Sequence, residues 1–137
     1  MCAPPPAAIL SLVGPRCLIV DDDARFREAA RSLLEREAIE VVGTASSAAE
    51  ARSRVVELRP DVVLVDIVLG ADSGFELARV LAREDHARLI LISTHSEADF
   101  ADLIAASPAV GFIAKSQLSA RAIRELAGGD DGPPAGP

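Results

Sequence analysis

The sequence contains no tryptophan, no tyrosine and only four phenylalanines. Aromatic stacking cannot build its interior, so the 50% of residues that are hydrophobic must form an aliphatic core. Cysteine is nearly absent. Cys2 and Cys17 form neither a CxxC pair nor a metal-binding spacing, which excludes a disulfide scaffold and a structural zinc site. Cys17 lies in an apolar run and reads as a buried thiol, in keeping with a reducing, cytoplasmic location. No apolar run reaches the length that crosses a bilayer. Ala7–Val13 is apolar, but it follows Pro4, Pro5 and Pro6 without a preceding basic stretch, so it does not read as a signal peptide. No membrane association is expected. Positive charge is also short: 14 Lys and Arg against 21 Asp and Glu give a net charge of −7, which disfavours direct binding of nucleic acid.

What is present is a series of short, branched apolar runs separated by helical patterns. Val62–Val65 is the clearest, bounded by Pro60 and by a glycine-containing loop, and it ends on Asp66. Such a run suits a strand buried on both faces of a parallel sheet. Residues 1–15, with their prolines, read as a flexible leader. Cys17–Val20 is a first strand ending on Asp21, Asp22 and Asp23, and a helix follows over Ala24–Glu37 with Phe26, Ala30, Leu33 and Leu34 at helical spacing. Glu40–Ala45 is the second strand; Ser47 to Glu50 is a capping box that opens a helix stopped by Pro60. Asp61–Asp66 is the third strand, Ile67–Gly74 a loop, and Phe75–Glu84 a helix. Arg88–Ile92 is the fourth strand, followed by Ser93, Thr94 and a second capping box, Ser96 to Asp99, with a helix to Ala106. Ala109–Ala114 is the fifth strand, ending on Lys115, and the last helix spans Leu118–Ala127. Residues 128–137, rich in Gly, Asp and Pro, read as a disordered tail. Five strands alternating with five helices over 16–127 predict right-handed βαβ units and one α/β domain, a flavodoxin-like sandwich with strand order 2-1-3-4-5.

In such a sheet, ligands bind outside the carboxyl ends of the strands. Those ends carry Asp21 and Asp22, Asp66, Ser93 and Thr94, and Lys115. Each alone is most often a turn or capping residue. Their joint placement on four neighbouring strands is specific. Three carboxylates brought together repel one another, by roughly 3 kcal/mol for a pair about 5 Å apart at an effective dielectric near 20. A divalent cation resolves this, and an all-oxygen ligand set points to Mg²⁺, with Mn²⁺ also suited. A lysine and a hydroxyl facing that ion complete a site for a phosphoryl group. Other phosphate chemistries lack their signatures. There is no GxxxxGK[ST], no GxGxxG after the first strand, and Ile67 and Val68 follow Asp66 where a phosphatase DxD would place a second acid. His86 and His95 are isolated and read as surface residues.

Over Arg16–Ala127 the chain resembles the receiver, or response regulatory, domain of two-component signalling. The motifs are the acidic pair after Cys17-Leu18-Ile19-Val20, the Asp ending the third strand with Gly74 eight residues on, the hydroxyl ending the fourth strand, and Gly111-Phe112-Ile113-Ala114-Lys115. The resemblance implies that Asp66 is the phosphoacceptor, taking a phosphoryl group from a histidine kinase or a histidine phosphotransfer protein. Asp22 and Asp66 are implied as Mg²⁺ ligands, with Asp21 acting through water and the Val68 backbone carbonyl completing the shell. Lys115 is implied to pair with the phosphoryl oxygens, Ser93 to hydrogen-bond the acyl phosphate, and Phe112 to turn inward with Ser93 as the switch aromatic. Val68 and His95 would flank the acyl phosphate and set its lifetime, and Phe26 would belong to the kinase docking face.

Two positions depart from the family pattern. Gly70 stands where a proline is common, and Ser116 stands where a cis-proline is common. Ser116 is familiar in receivers that carry a helix-turn-helix output. The expectation is a stand-alone receiver that promotes its own phosphorylation and dephosphorylation rather than an enzyme acting on a separate substrate. Its output would be an unidentified protein contact, with homodimerisation through the fourth helix, fifth strand and fifth helix as one form. Two alternatives stand beside it: a degenerate, non-phosphorylated receiver used as an interaction module, and a receiver fragment of a DNA-binding regulator. A small Mg²⁺-dependent hydrolase has no identifiable acid or base beyond the carboxylates.

Overall fold

The computed structural model describes residues 15–84 and 87–127. The leader before Pro15, the tail after Ala127 and His86 lie outside the described residues. Five parallel strands form the sheet: β1 (Arg16–Val20), β2 (Glu40–Ala45), β3 (Val62–Asp66), β4 (Arg88–Ser93) and β5 (Gly111–Ala114). Their order is β2-β1-β3-β4-β5, as the sequence predicts. Four helices of at least two turns connect or follow them: α1 (Ala24–Arg36), α2 (Ala48–Leu58), α3 (Gly74–Glu84) and, at the end, α5 (Ala120–Ala127). The fourth helical segment is short, a 3₁₀ turn over Glu97–Phe100 running into α4 (Ala101–Ala105).

Strand alternation sorts the core into two layers. Cys17 and Ile19 of β1, Val62 and Leu64 of β3, and Ile90 and Ile92 of β4 face one side, where Ala30 and Leu34 of α1 and Ile123 of α5 cover them. Leu18 and Val20, Val63 and Val65, and Leu89 and Leu91 face the other, where Ala51 and Val55 of α2 and Leu77, Ala78 and Leu81 of α3 pack. Because both faces are covered, the interiors of β1, β3 and β4 are apolar at consecutive positions rather than at every second one. The β3–β4 register sets Asp66 opposite Ile92, so Ser93 projects one residue beyond the carboxylate's level.

The structure departs from the expected elements at four places. The loop after β3 contains a two-residue antiparallel hairpin, Val68–Leu69 with Asp72–Ser73. The fourth helix ends at Ala105, and its first turn is 3₁₀, with the Asp99 carboxylate accepting from the Ser96 N–H at 3.3 Å. β5 starts at Gly111 rather than Ala109. The last helix starts at Ala120, because Leu118 is extended and the Ser119 hydroxyl accepts from the Ala122 N–H at 3.0 Å. Elsewhere the punctuation works as read. Arg59 closes α2 in the left-handed region, φ 51°, ahead of Pro60, and the Arg16 guanidinium donates to the Leu58 and Arg59 carbonyls there at 2.9 and 2.7 Å.

Cys17 is fully buried, and burial pushes its thiol up to about 12. A thiol is reactive only as thiolate. In a Cys2→Ser variant, Cys17 is therefore expected to resist thiol reagents at neutral pH until the domain is unfolded; ready labelling of the native protein would show that β1 is not seated in the core.

Candidate functional site

β1 and β3 deliver their carboxylates because both strands end at the rim while their neighbours still hold them. The Asp21 N–H continues the sheet, donating to the Ala45 carbonyl at 3.0 Å. Its side chain is fully buried, and Oδ1 accepts from the Asp23 N–H at 2.8 Å. Asp23 in turn is the N-cap of α1, accepting from the Arg25 N–H at 2.9 Å. That turn leaves Asp22 between the two, exposed at the rim. Asp66 closes β3 with 6% of its surface exposed, and its Oδ1 accepts from the Val68 N–H at 3.1 Å. Lys115 closes the group from β5: its Nζ donates to Asp66 Oδ2 at 3.1 Å and lies 2.6 Å from Asp21 Oδ2. It is the only lysine in the sequence.

The second contact is an ion pair without hydrogen-bond geometry, so Asp21 Oδ2 is a buried oxygen with no hydrogen-bond partner. One carboxylate oxygen from each of Asp21, Asp22 and Asp66 lies within 4.8 Å of the others. Two of the three carboxylates touch the one ammonium, which leaves two negative charges uncompensated in the cluster, the charge of one divalent cation. The electrostatics report that crowding. Burial, and then the Asp21 charge, push the Asp66 carboxyl above the usual carboxylate range, against the Val68 N–H and Lys115, which pull it down. Burial works against the Lys115 ammonium, but Asp21 and Asp66 outweigh it and hold the group above the ordinary lysine value. The excess negative charge, the all-oxygen donors and an exposed third ligand with access to water fit Mg²⁺, which keeps several waters when protein-bound.

Gly70 takes φ +59° beside this cluster, 3.4 Å from a Cβ position to Asp22 Oδ2. A proline, with φ fixed near −65°, does not fit this turn. The Lys115–Ser116 peptide is trans.

The other residues singled out from sequence fall around this group. Ser93 is buried, and its Oγ accepts from the His95 N–H at 3.0 Å and lies 3.4 Å from His95 Nδ1, so the hydroxyl is engaged with its own loop. His95 is exposed, as read, and its ring meets Phe100 edge-on at 5.6 Å. Val68 is 51% exposed beside Asp66. Phe112 is partly buried in β5 opposite Leu91, packed against the α2–α3 core layer. Phe26, expected on the kinase docking face, is half-buried. It is partly buried against the α1–α5 layer, 4.4 Å from its ring centroid to Lys115 Nζ. Two neighbours were not read from sequence. Arg27 donates from Nη1 to the Asp21 carbonyl at 2.6 Å, and Phe100 bridges the His95 and Phe75 rings. Arg27 stands one residue after Phe26 on α1, but an arginine among several on a helix carries no signal of its own. Phe100 reads only as an apolar position.

The parallel α/β sheet is flavodoxin-like, with an acidic cluster and a lysine at its carboxyl rim. The chain belongs to the response regulator receiver domain family, which matches residues 17–127. Among solved structures, a LuxR-family two-component response regulator from Aurantimonas sp. SI85-9A1 aligns with TM-score 0.74 and 32% identity, over 84% of this chain and 86% of that one. The response regulator domain of Thermotoga maritima CheB aligns with TM-score 0.74 and 25% identity, over 88% and 99%. Among curated proteins, a protein-glutamate methylesterase/protein-glutamine glutaminase of Syntrophomonas wolfei is 38% identical over 105 residues, 76% of this chain and 30% of that protein. The sensory transduction protein LytT of Bacillus cereus is 35% identical over 80 residues, 58% of this chain and 32% of that protein. The matches thus span about a third of these curated relatives, and the activities in their names belong to those whole proteins.

Proposed function

We propose that Asp66 accepts a phosphoryl group from a phosphohistidine on a sensor kinase or phosphotransfer protein, and that the acyl phosphate switches a protein-binding surface. The observation that carries this is the Lys115 ammonium bridging Asp66 and Asp21 in an acidic cluster that Asp22 completes. An Asp66 carboxylate oxygen forms the new bond to phosphorus while the phosphorus–nitrogen bond breaks and its electron pair returns to the donor imidazole. Lys115 then follows the negative charge onto the phosphoryl oxygens, leaving Asp21. Ser93 Oγ turns from His95 to donate to the same oxygens, and Phe112 fills the space it vacates. Asp22 and Asp66 would hold Mg²⁺ directly, with Asp21 through water and the Val68 carbonyl completing the shell. The ion, when bound, neutralises charge on the transferring group. Attack of water on the acyl phosphate reverses the state, which makes the domain a self-acting acceptor rather than an enzyme with a separate substrate.

The surface that would change is α4–β5–α5. Leu103 and Val110 stand there 52% and 38% exposed, which suits a protein partner or a second copy of the chain. Among the described residues no helix is long and apolar enough to cross a membrane, in keeping with a cytoplasmic regulator. Acetyl phosphate with Mg²⁺ is expected to add one phosphoryl group to the wild type by intact mass and none to Asp66→Ala. A wild type that stays unmodified with acetyl phosphate and with a phosphorylated kinase would make the domain a non-phosphorylated interaction module.

A further inference from the structure

The Asp, Lys and Ser set does not account for Phe26. Its ring lies 4.4 Å from Lys115 Nζ, within the range where a ring quadrupole attracts a cation. The ammonium thus has three neighbours: Asp21 Oδ2 at 2.6 Å, Asp66 Oδ2 at 3.1 Å and this aromatic face. We propose that Phe26 is a positioning residue for phosphoryl transfer, holding the Lys115 ammonium between Asp21 and Asp66 so that it meets the incoming phosphoryl group. The inference rests on the receiver reading above and adds to it a residue from α1.

The first turn of α1 aims the ring. Asp23 caps the helix, accepting from the Arg25 N–H at 2.9 Å, and the Arg27 N–H donates to the Asp23 carbonyl at 3.0 Å. The Arg27 guanidinium donates to the Asp21 carbonyl at 2.6 Å. Phe26 is therefore tied to the same strand end that supplies Asp21, and ring and carboxylate form one unit. The residue also packs against the α1–α5 core layer, which restrains the ring. A lysine stem is flexible and loses much rotamer freedom on ordering. The carboxylates and the ring meet that stem at its tip, so three separate groups fix the position of Nζ. An aliphatic residue at position 26 could fill the space, but it would have no negative face to offer a cation.

Because Lys115 is the only lysine, protein carrying lysine labelled with ¹³C at Cε alone shows one side-chain signal. Wild type and Phe26→Tyr are expected to show that signal shifted by the ring current, and Phe26→Leu to lose the shift. With acetyl phosphate and Mg²⁺, which need no protein docking, Phe26→Leu is expected to slow Asp66 phosphorylation between about two- and thirtyfold. Phe26→Tyr is expected to stay near wild type. A leucine variant that is phosphorylated at the wild-type rate, or that keeps the shifted lysine signal, overturns the proposal. So does a defect seen only with a protein phosphodonor, which would make Phe26 a docking residue. If the wild type takes no phosphoryl group at all, the receiver reading falls, and the lysine signal alone decides whether the ring seats the cation. Should the leucine variant unfold, a trifluorinated phenylalanine at position 26 keeps the shape, weakens the ring's negative face, and carries the same expectations.

Discussion

Gly74→Ala is expected to cost about 3 kcal/mol of stability or more and to disable the site with it. A Cβ on Gly74 would overlap the Asp66 carbonyl oxygen and lie 2.8 Å from both the Asp66 carbonyl carbon and Ile67 Cα. Those are backbone atoms of the last residue of β3 and its successor, and the Gly74 N–H donates to the Ile67 carbonyl at 2.8 Å, closing the contact. No rotamer change relieves the overlap. Either α3 or the end of β3 must shift, and the second option moves Asp66 itself. The helix propensity gained by replacing glycine with alanine, about 1 kcal/mol, is too small to offset this. For a domain of this size the loss corresponds to a melting point lower by roughly 10 °C. Gly43→Ala is the useful control. There the added Cβ meets Leu58 Cδ1 at 2.7 Å, the end of a flexible side chain that can give way. Comparable melting points for the two variants would show that the α3 packing yields, and would remove the claim that the glycine holds the acceptor loop closed.

Much of this fold was legible because its signals are redundant. Four apolar runs with a carboxylate, hydroxyl or lysine at the end, each followed by a helical pattern, leave few topologies once parallel pairing and right-handed crossovers are imposed. The carboxyl rim then follows from strand order, without knowledge of any single contact. What stayed out of reach depends on side-chain reach or on short elements. The hairpin at Val68–Ser73 has two residues on each strand, too few for a period. The 3₁₀ start at Glu97–Phe100 has a capping box that reads the same for an α-helix. Phe26 could be placed on α1 by its spacing, yet its helical face serves both the core layer and Lys115, and the pattern does not separate the two. The Ser93–His95 pairing is likewise a property of one loop's conformation. The sequence brought the groups of the candidate site to one rim; the contacts among them emerged only with coordinates.

Asp66→Asn is expected to make the metal-free domain more stable, by on the order of 1–2 kcal/mol at neutral pH. Asp66 is nearly buried beside Asp21, and one ammonium is shared between them. Its carboxyl is pushed above the usual range by burial first and by Asp21 second. A carboxyl raised in the folded state binds its proton more tightly there than in the unfolded chain. That contribution to stability is therefore full below the ordinary carboxylate value and is lost as pH rises through the raised one. The wild type at neutral pH has lost it, whereas asparagine, similar in shape and uncharged, retains most of it. The gap between the two proteins should open as pH climbs through the Asp66 titration and stay level above it. Lys115 limits the gain, since removing one partner leaves it with Asp21 alone, which is why the expected figure lies below the bare repulsion of two close charges. Millimolar Mg²⁺ should reverse the order. A cation that binds the native cluster raises wild-type stability in proportion to its occupancy, while the asparagine variant has lost a ligand and gains little. Thermal melts of both proteins at neutral pH, with and without Mg²⁺, read the sign directly. An asparagine variant less stable than wild type without the ion would mean that Lys115 already neutralises the pair. A wild type indifferent to Mg²⁺ would mean that the three carboxylates do not form a cation site.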